Sequence, residues 1–100
     1  MSKERKQNIT QTVQLFKIFS DYTRLRIIDL LVNSEYCVQD ISESLETSQS
    51  AISHQLKLLR DLNVVRTRKQ GKQVFYSLQD NHIKELFLIG YRHATECLEE

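Results

Sequence analysis

Asp80 and His82 stand two positions apart near the end of the chain. After ten further residues comes His93, and three positions on, Glu96. Imidazoles and carboxylates are donors that zinc accepts. All four fall in one stretch that reads as a helix. His82 and His93 are separated by about 1,100° of helical rotation at 100° per residue, so they share nearly one face, offset by about 20°. Along the axis, at about 1.5 Å per residue, they lie about 16 Å apart. Zinc–ligand bonds are about 2 Å long, so one ion cannot span that gap. If both pairs serve one ion, the pairs come from two helices running antiparallel. The spacing therefore implies a dimer, and a metal that senses or sets its geometry.

Each donor also has an ordinary role. Asp80 reads as a helix N-cap. His82 near the helix start and Glu96 near its end read as solvated side chains, and His93 suits an interface histidine. Together, two imidazoles and two carboxylates make a closed tetrahedral shell of borderline ligands, which fits Zn2+ with Co2+ as a surrogate. A closed shell leaves no position for an activated water, which argues against a hydrolase. Cys97, four positions after His93, is an alternative to Glu96 as a ligand.

The elements that must hold these groups are helical. Among 100 residues there is no proline and only two glycines, Gly71 and Gly90. Ile9, Val13, Phe16 and Phe19 recur at helical spacing, so 9–19 is predicted to be an amphipathic helix. Asp21 caps the next helix, whose buried stripe is Leu25, Ile28, Leu31 and Val32. Val38, Ile41 and Leu45 mark a short third helix. After a break at Glu46-Thr47, Ser48 is the N-cap of a fourth helix over 49–60. Ile52, Leu56 and Leu59 of that helix should face the core. Ser50, Ser53, His54 and Lys57 then face outward, with no acid among them. Short polar side chains of this kind hydrogen-bond base edges and phosphates. Val64-Val65 and Val74-Phe75-Tyr76 are β-formers around Lys69-Gln70-Gly71-Lys72, which predicts a hairpin over 64–78 with a basic tip. Asp80 opens a last helix to about Leu98, with Ile83, Leu86, Phe87, Gly90 and Ala94 as its apolar stripe.

Charge is segregated along this order. The net charge is +1, yet Ser48 to Lys72 holds six bases (Lys57, Arg60, Arg66, Arg68, Lys69 and Lys72) and one acid, Asp61. A basic middle suits a polyanion. Helix, turn, helix and then a basic hairpin is the winged helix-turn-helix arrangement. Its second helix enters the major groove, and its wing lies along the backbone or minor groove. The fold class is thus mainly α with a β-hairpin, in one domain spanning 1–100. The helix-turn-helix occupies 38–60, the wing 64–78, and the helices at 9–19 and 80–98 are left for dimerisation.

The chain resembles the ArsR/SmtB family of bacterial metal-responsive repressors. The likeness runs from about Val13 to Cys97. It is carried by Phe19-Ser20-Asp21-Tyr22-Thr23-Arg24-Leu25-Arg26-Ile27, by Ser48-Gln49-Ser50-Ala51-Ile52-Ser53-His54-Gln55-Leu56-Lys57-Leu58-Leu59, and by Arg68-Lys69-Gln70-Gly71-Lys72 leading into Tyr76-Ser77-Leu78. The terminal pattern of Asp80, His82, His93 and Glu96 is similar to the zinc site of the SmtB-like subgroup. The resemblance implies a metal-free homodimer on double-stranded operator DNA, released when zinc binds, so that efflux or sequestration genes are transcribed. It places Asp80 and His82 of one subunit with His93 and Glu96 of the other. It also matches Gln49, Ser50, Ser53 and His54 to recognition residues, beside the cations Lys57, Arg66, Arg68, Lys69 and Lys72. A hydrogen bond from the His93 position toward the recognition helix couples the two sites in such relatives.

Other classes fare worse. No stretch approaches the roughly 20 apolar residues of a membrane span. Met1 to Asn8 lack the apolar core of a signal peptide, so the expected home is the cytoplasm. No phosphate loop, nucleophile elbow or small-molecule site argues for an enzyme. Cadmium- and lead-sensing relatives carry a Cys-Val-Cys pair where this chain has Cys37-Val38-Gln39, so a thiolate-rich site is not expected. The remaining alternatives are a redox-responsive repressor using Cys37 and Cys97, and a metal-binding structural dimer without a DNA function.

Overall fold

A computed structural model describes residues 1–98, with side chains through Glu96. Eight elements follow one another: α1 (Lys3–Phe19), α2 (Tyr22–Leu30), β1 (Tyr36–Cys37), α3 (Val38–Leu45), α4 (Gln49–Asp61), β2 (Val65–Gln70), β3 (Gln73–Leu78) and α5 (Asn81–Leu98). This is the winged helix-turn-helix order.

Local chemistry sets the helix starts. Asp21 accepts the Arg24 N–H at 3.0 Å, and Ser48 Oγ accepts the Ala51 N–H at 3.2 Å, as N-caps do. α1 begins six residues earlier than the apolar spacing predicts. Its first two turns carry no buried stripe, but lysine, glutamate, arginine and glutamine are good helix formers. Ser2 caps them by accepting the Arg5 N–H at 3.1 Å. Between α3 and α4 the chain reverses at Glu46, which takes the left-handed conformation with φ of 52°. The Thr47 N–H returns to the Ser42 carbonyl at 3.0 Å, closing the helix end.

β1, β3 and β2 form one antiparallel sheet in that order. β2 and β3 pair from Val65↔Leu78 out to Gln70↔Gln73, leaving a two-residue loop. Gly71 opens that loop with φ of 62°, a position where a side chain would be strained. β1 is an element that the spacing did not predict. It adds only two pairs, Tyr36↔Tyr76 and Cys37↔Phe75.

The core gathers one face of every central element. Ile27, Ile28, Ile41, Ile52, Leu56 and Leu59 are wholly buried. Val65 and Leu78 close it from the base of the wing, and Ile83 and Phe87 from α5. The predicted stripe of α1 behaves differently. Ile9, Val13 and Phe16 remain 44–52% exposed. Phe16, Phe19, Leu86, Phe87, Tyr91 and Ala94 line an apolar groove of about 340 Å³ where α1 meets α5. The radius of gyration is 15.0 Å, above the roughly 13 Å of a compact chain of this length. One protomer thus leaves apolar surface that its own fold does not cover.

The difference between the two stripes is measurable. Ile28→Ala should lower unfolding stability by about 2–5 kcal/mol in a urea titration. A loss well under about 1 kcal/mol would show that the site is not packed as described.

Candidate nucleic-acid interface and metal centre

Burial of Ile52, Leu56 and Leu59 turns the other side of α4 outward. Gln49, Ser50, Ser53, His54 and Lys57 are all exposed there. The helix begins with no acidic residue in its first turn, so its positive dipole end is uncompensated. Arg66, Lys69 and Lys72 of the wing are exposed as well. Hydroxyls, an imidazole and amide groups on a helix N-terminus, flanked by cations, match what a nucleic-acid backbone and its base edges require.

Two arginines of α2 brace the helices around this face, Arg24 toward α1 and α4 and Arg26 toward α3. The Arg24 guanidinium donates to the Ile18 carbonyl at 3.1 Å and the Lys17 carbonyl at 3.4 Å, at the end of α1. It also donates to Gln55 Oε1 on α4 at 3.3 Å. A cation is favourable at a helix C-terminus, where carbonyls lack partners. Arg26 reaches the Leu45 carbonyl at the end of α3 at 3.5 Å, with its guanidinium 5.5 Å from the Tyr22 ring centre. Neither role was derived from spacing, since a charged residue on an amphipathic helix ordinarily reads as solvated. The half-burial of these arginines is a tertiary effect.

Arg68 is exposed too, but it is engaged. Its Nε donates to Glu35 Oε1 at 3.1 Å and Oε2 at 3.3 Å, Nη2 donates to Glu35, and Nη1 donates to Gln70 Oε1 at 2.9 Å. The hydrogen bond from Arg68 holds the Glu35 carboxyl below its ordinary value of 4.5. The folded-state value is depressed, so the pair is complete above the ordinary carboxylate range. It is lost as pH falls through the lowered value.

The four candidate metal donors all lie at or along α5. Asp80 uses both carboxylate oxygens. Oδ1 accepts the Ile83 N–H at 3.1 Å, capping the helix, and Oδ2 lies 3.1 Å from His82 Nε2. Asp80 and His82 are therefore already neighbours. His93 and Glu96 are exposed one turn apart near the other end of the helix. Among the described residues, no three histidine, cysteine, aspartate or glutamate side chains of one protomer converge on a metal-sized point. The donor chemistry suits a borderline cation, two ligands from each end. The side chain of Cys97, the alternative ligand and redox partner of Cys37, lies outside the described residues.

Comparison with known proteins defines the class. The family model "Bacterial regulatory protein, arsR family" matches residues 21–67. A cadmium resistance transcriptional regulatory protein CadC homolog of Staphylococcus aureus is 40% identical over 91% of this chain and 76% of its own length. A transcriptional repressor SmtB homolog of a Synechocystis strain is 39% identical over 90% of this chain, which spans 65% of that relative's length. The homodimeric winged helix-turn-helix DNA-binding domain of Mb0332 from Mycobacterium bovis superposes with a TM-score of 0.93 at 25% identity, covering 99% of this chain and 92% of that one. The chain belongs to the arsR family of bacterial regulatory proteins, a family of transcriptional regulators rather than enzymes. No described helix is long and apolar enough to cross a membrane.

The Arg24 contacts are testable without any ligand. Arg24→Leu takes the guanidinium from the Ile18 carbonyl and from Gln55, while the Lys17 carbonyl keeps the Ser20 N–H and hydroxyl, and should cost about 1–3 kcal/mol of unfolding free energy. An unchanged urea midpoint would show that water replaces the guanidinium at no loss.

Proposed function

We propose that this chain is a zinc-responsive transcriptional repressor. Two protomers associate through the apolar faces of α1 and α5, and the dimer binds operator DNA when metal-free. The observation that carries this reading is the polar outer face of α4, which holds no acid before Asp61 in its last position, beside a basic wing, in a chain of the arsR family. Gln49, Ser50, Ser53 and His54 read the major groove, with Lys57, Arg66, Lys69 and Lys72 against the backbone. Dimerisation sets the distance between two such faces, so whatever alters the dimer alters the fit to the duplex.

Asp80 and His82 of one protomer, with His93 and Glu96 of its partner, hold the ion. The ion supplies a fixed cross-link between antiparallel α5 helices and no reactive chemistry. Formation of this cross-link favours a dimer geometry with low DNA affinity, and the genes for metal efflux or sequestration are then expressed. The Staphylococcus aureus relative is named for cadmium resistance. A cadmium site of the thiolate type is disfavoured here, because the chain has two cysteines and its clustered donors are imidazoles and carboxylates.

The test is a DNA titration at fixed salt, using fragments from the chain's own promoter region, with and without zinc, cobalt and cadmium. Zinc should weaken binding by about 5- to 150-fold, the range of ordinary allosteric couplings. His93→Ala should bind the same DNA and no longer be released by zinc. A variant released normally would remove His93 from the ligand set. Ser53→Ala and His54→Ala should each weaken DNA affinity by about 1–3 kcal/mol. Unchanged affinity in both would place the DNA surface elsewhere.

A further inference from the structure

The sheet changes width along the wing, and Arg68 sits where it does so. Phe75 pairs on one side with Cys37 of β1 and on the other with Arg68 of β2. At this level the sheet has three strands. Beyond it only Lys69↔Val74 and Gln70↔Gln73 remain, followed by the loop. The tip that carries Lys69 and Lys72 is therefore a two-stranded ribbon. Such a ribbon is marginally stable by itself and twists more strongly than a wider sheet.

Arg68 lies on the face of the sheet opposite the buried pair Val65 and Leu78, by the alternation of the strands. Its guanidinium crosses the middle strand to Glu35, in the link between α2 and β1. The guanidinium carbon stands 5.0 Å from the Phe75 ring centre, so the ring forms the bed for the crossing. Gln70, on the ribbon side, takes the third nitrogen of the fork, Nη1. A planar group bonded through all three nitrogens and resting on an aromatic face has a set direction. By contrast, Lys69 and Lys72 form no ion pair among the described residues.

We propose that Glu35 and Arg68 form a clasp that aims the two-stranded tip of the wing, and that Arg68 serves DNA binding by positioning Lys69 and Lys72 rather than by touching phosphate. This rests on the DNA-binding reading above. It separates Arg68 from the phosphate-contacting set in which its charge alone would place it. The α2–β1 link that holds Glu35 runs through the two residues of β1 into α3, so the clasp ties the wing to the helix-turn-helix as well as to its own sheet.

The experiment compares wild type, Arg68→Gln, Glu35→Gln, the double variant and Lys72→Gln. Thermal melts first establish that each folds. Hydrogen exchange then reads the backbone amides of residues 69–74 without DNA. Both single clasp variants should speed exchange there and leave α4 unchanged, and Lys72→Gln should leave exchange unchanged in both places. A DNA titration over a range of salt follows. Each single clasp variant should weaken binding by about fivefold, the scale of a well-formed exposed ion pair, and the double variant should be no weaker. Neither should alter the slope of log affinity against log salt, while Lys72→Gln should flatten it by about one. The proposal is overturned if Arg68→Gln flattens the slope as Lys72→Gln does while Glu35→Gln tightens binding. That pattern would make Arg68 a phosphate ligand for which Glu35 competes. Unchanged exchange in both single variants would equally overturn it. Wild-type protein that binds no DNA at low salt would defeat the DNA-binding reading, and the exchange measurement would still decide whether the clasp orders the tip.

Discussion

Burial of one face of α4 is the constraint on which the rest depends. Ile52, Leu56 and Leu59 are wholly excluded from water. At about 25 cal/mol per Å² of apolar surface, no arrangement that exposes them competes. Once they point inward, the helical period leaves Ser50, Ser53, His54 and Lys57 nowhere to go but out. The short turn at Glu46 and the cap at Ser48 fix where the helix starts. The guanidinium of Arg24 then joins that helix to the end of α1. The outward face is therefore a by-product of packing, and its chemistry was free to vary without disturbing the fold.

Much of this was legible in the sequence, and the reasons are specific. The caps at Asp21, Ser48 and Asp80 are local signals, settled within four residues of chain. The stripe of α4 and the glycine of the wing loop are equally local. What escaped had no local signal. β1 is two residues long, too short to show alternation, and exists because β3 offers it an edge. The Glu35–Arg68 contact joins residues 33 positions apart, and the Arg24–Gln55 contact joins residues 31 apart. The early start of α1 at Lys3 rests on helix propensity rather than on any buried face. For the candidate metal donors, the sequence placed two pairs at two ends of one helix. The structure adds that the first pair is already in contact.

The apolar surface of α1 and α5 completes the logic of a small chain. The central elements exhaust their aliphatic residues in making a single core. Ile9, Val13 and Phe16 of α1 then stand proud of it, as do Ile89 and Tyr91 of α5, all more than two-fifths exposed. A second copy is an economical cover, since it presents the same need. Pairing would also set two copies of α4 at a fixed separation, which a lone protomer cannot do.

Asp80 joins two tasks in one side chain. One oxygen tethers the first turn of α5, and the other faces an imidazole. An amide in its place would keep the tether and forfeit the negative charge. A longer acid would keep the charge and overreach the tether. The position is thus narrowed from two directions at once, by the helix cap and by the imidazole beside it.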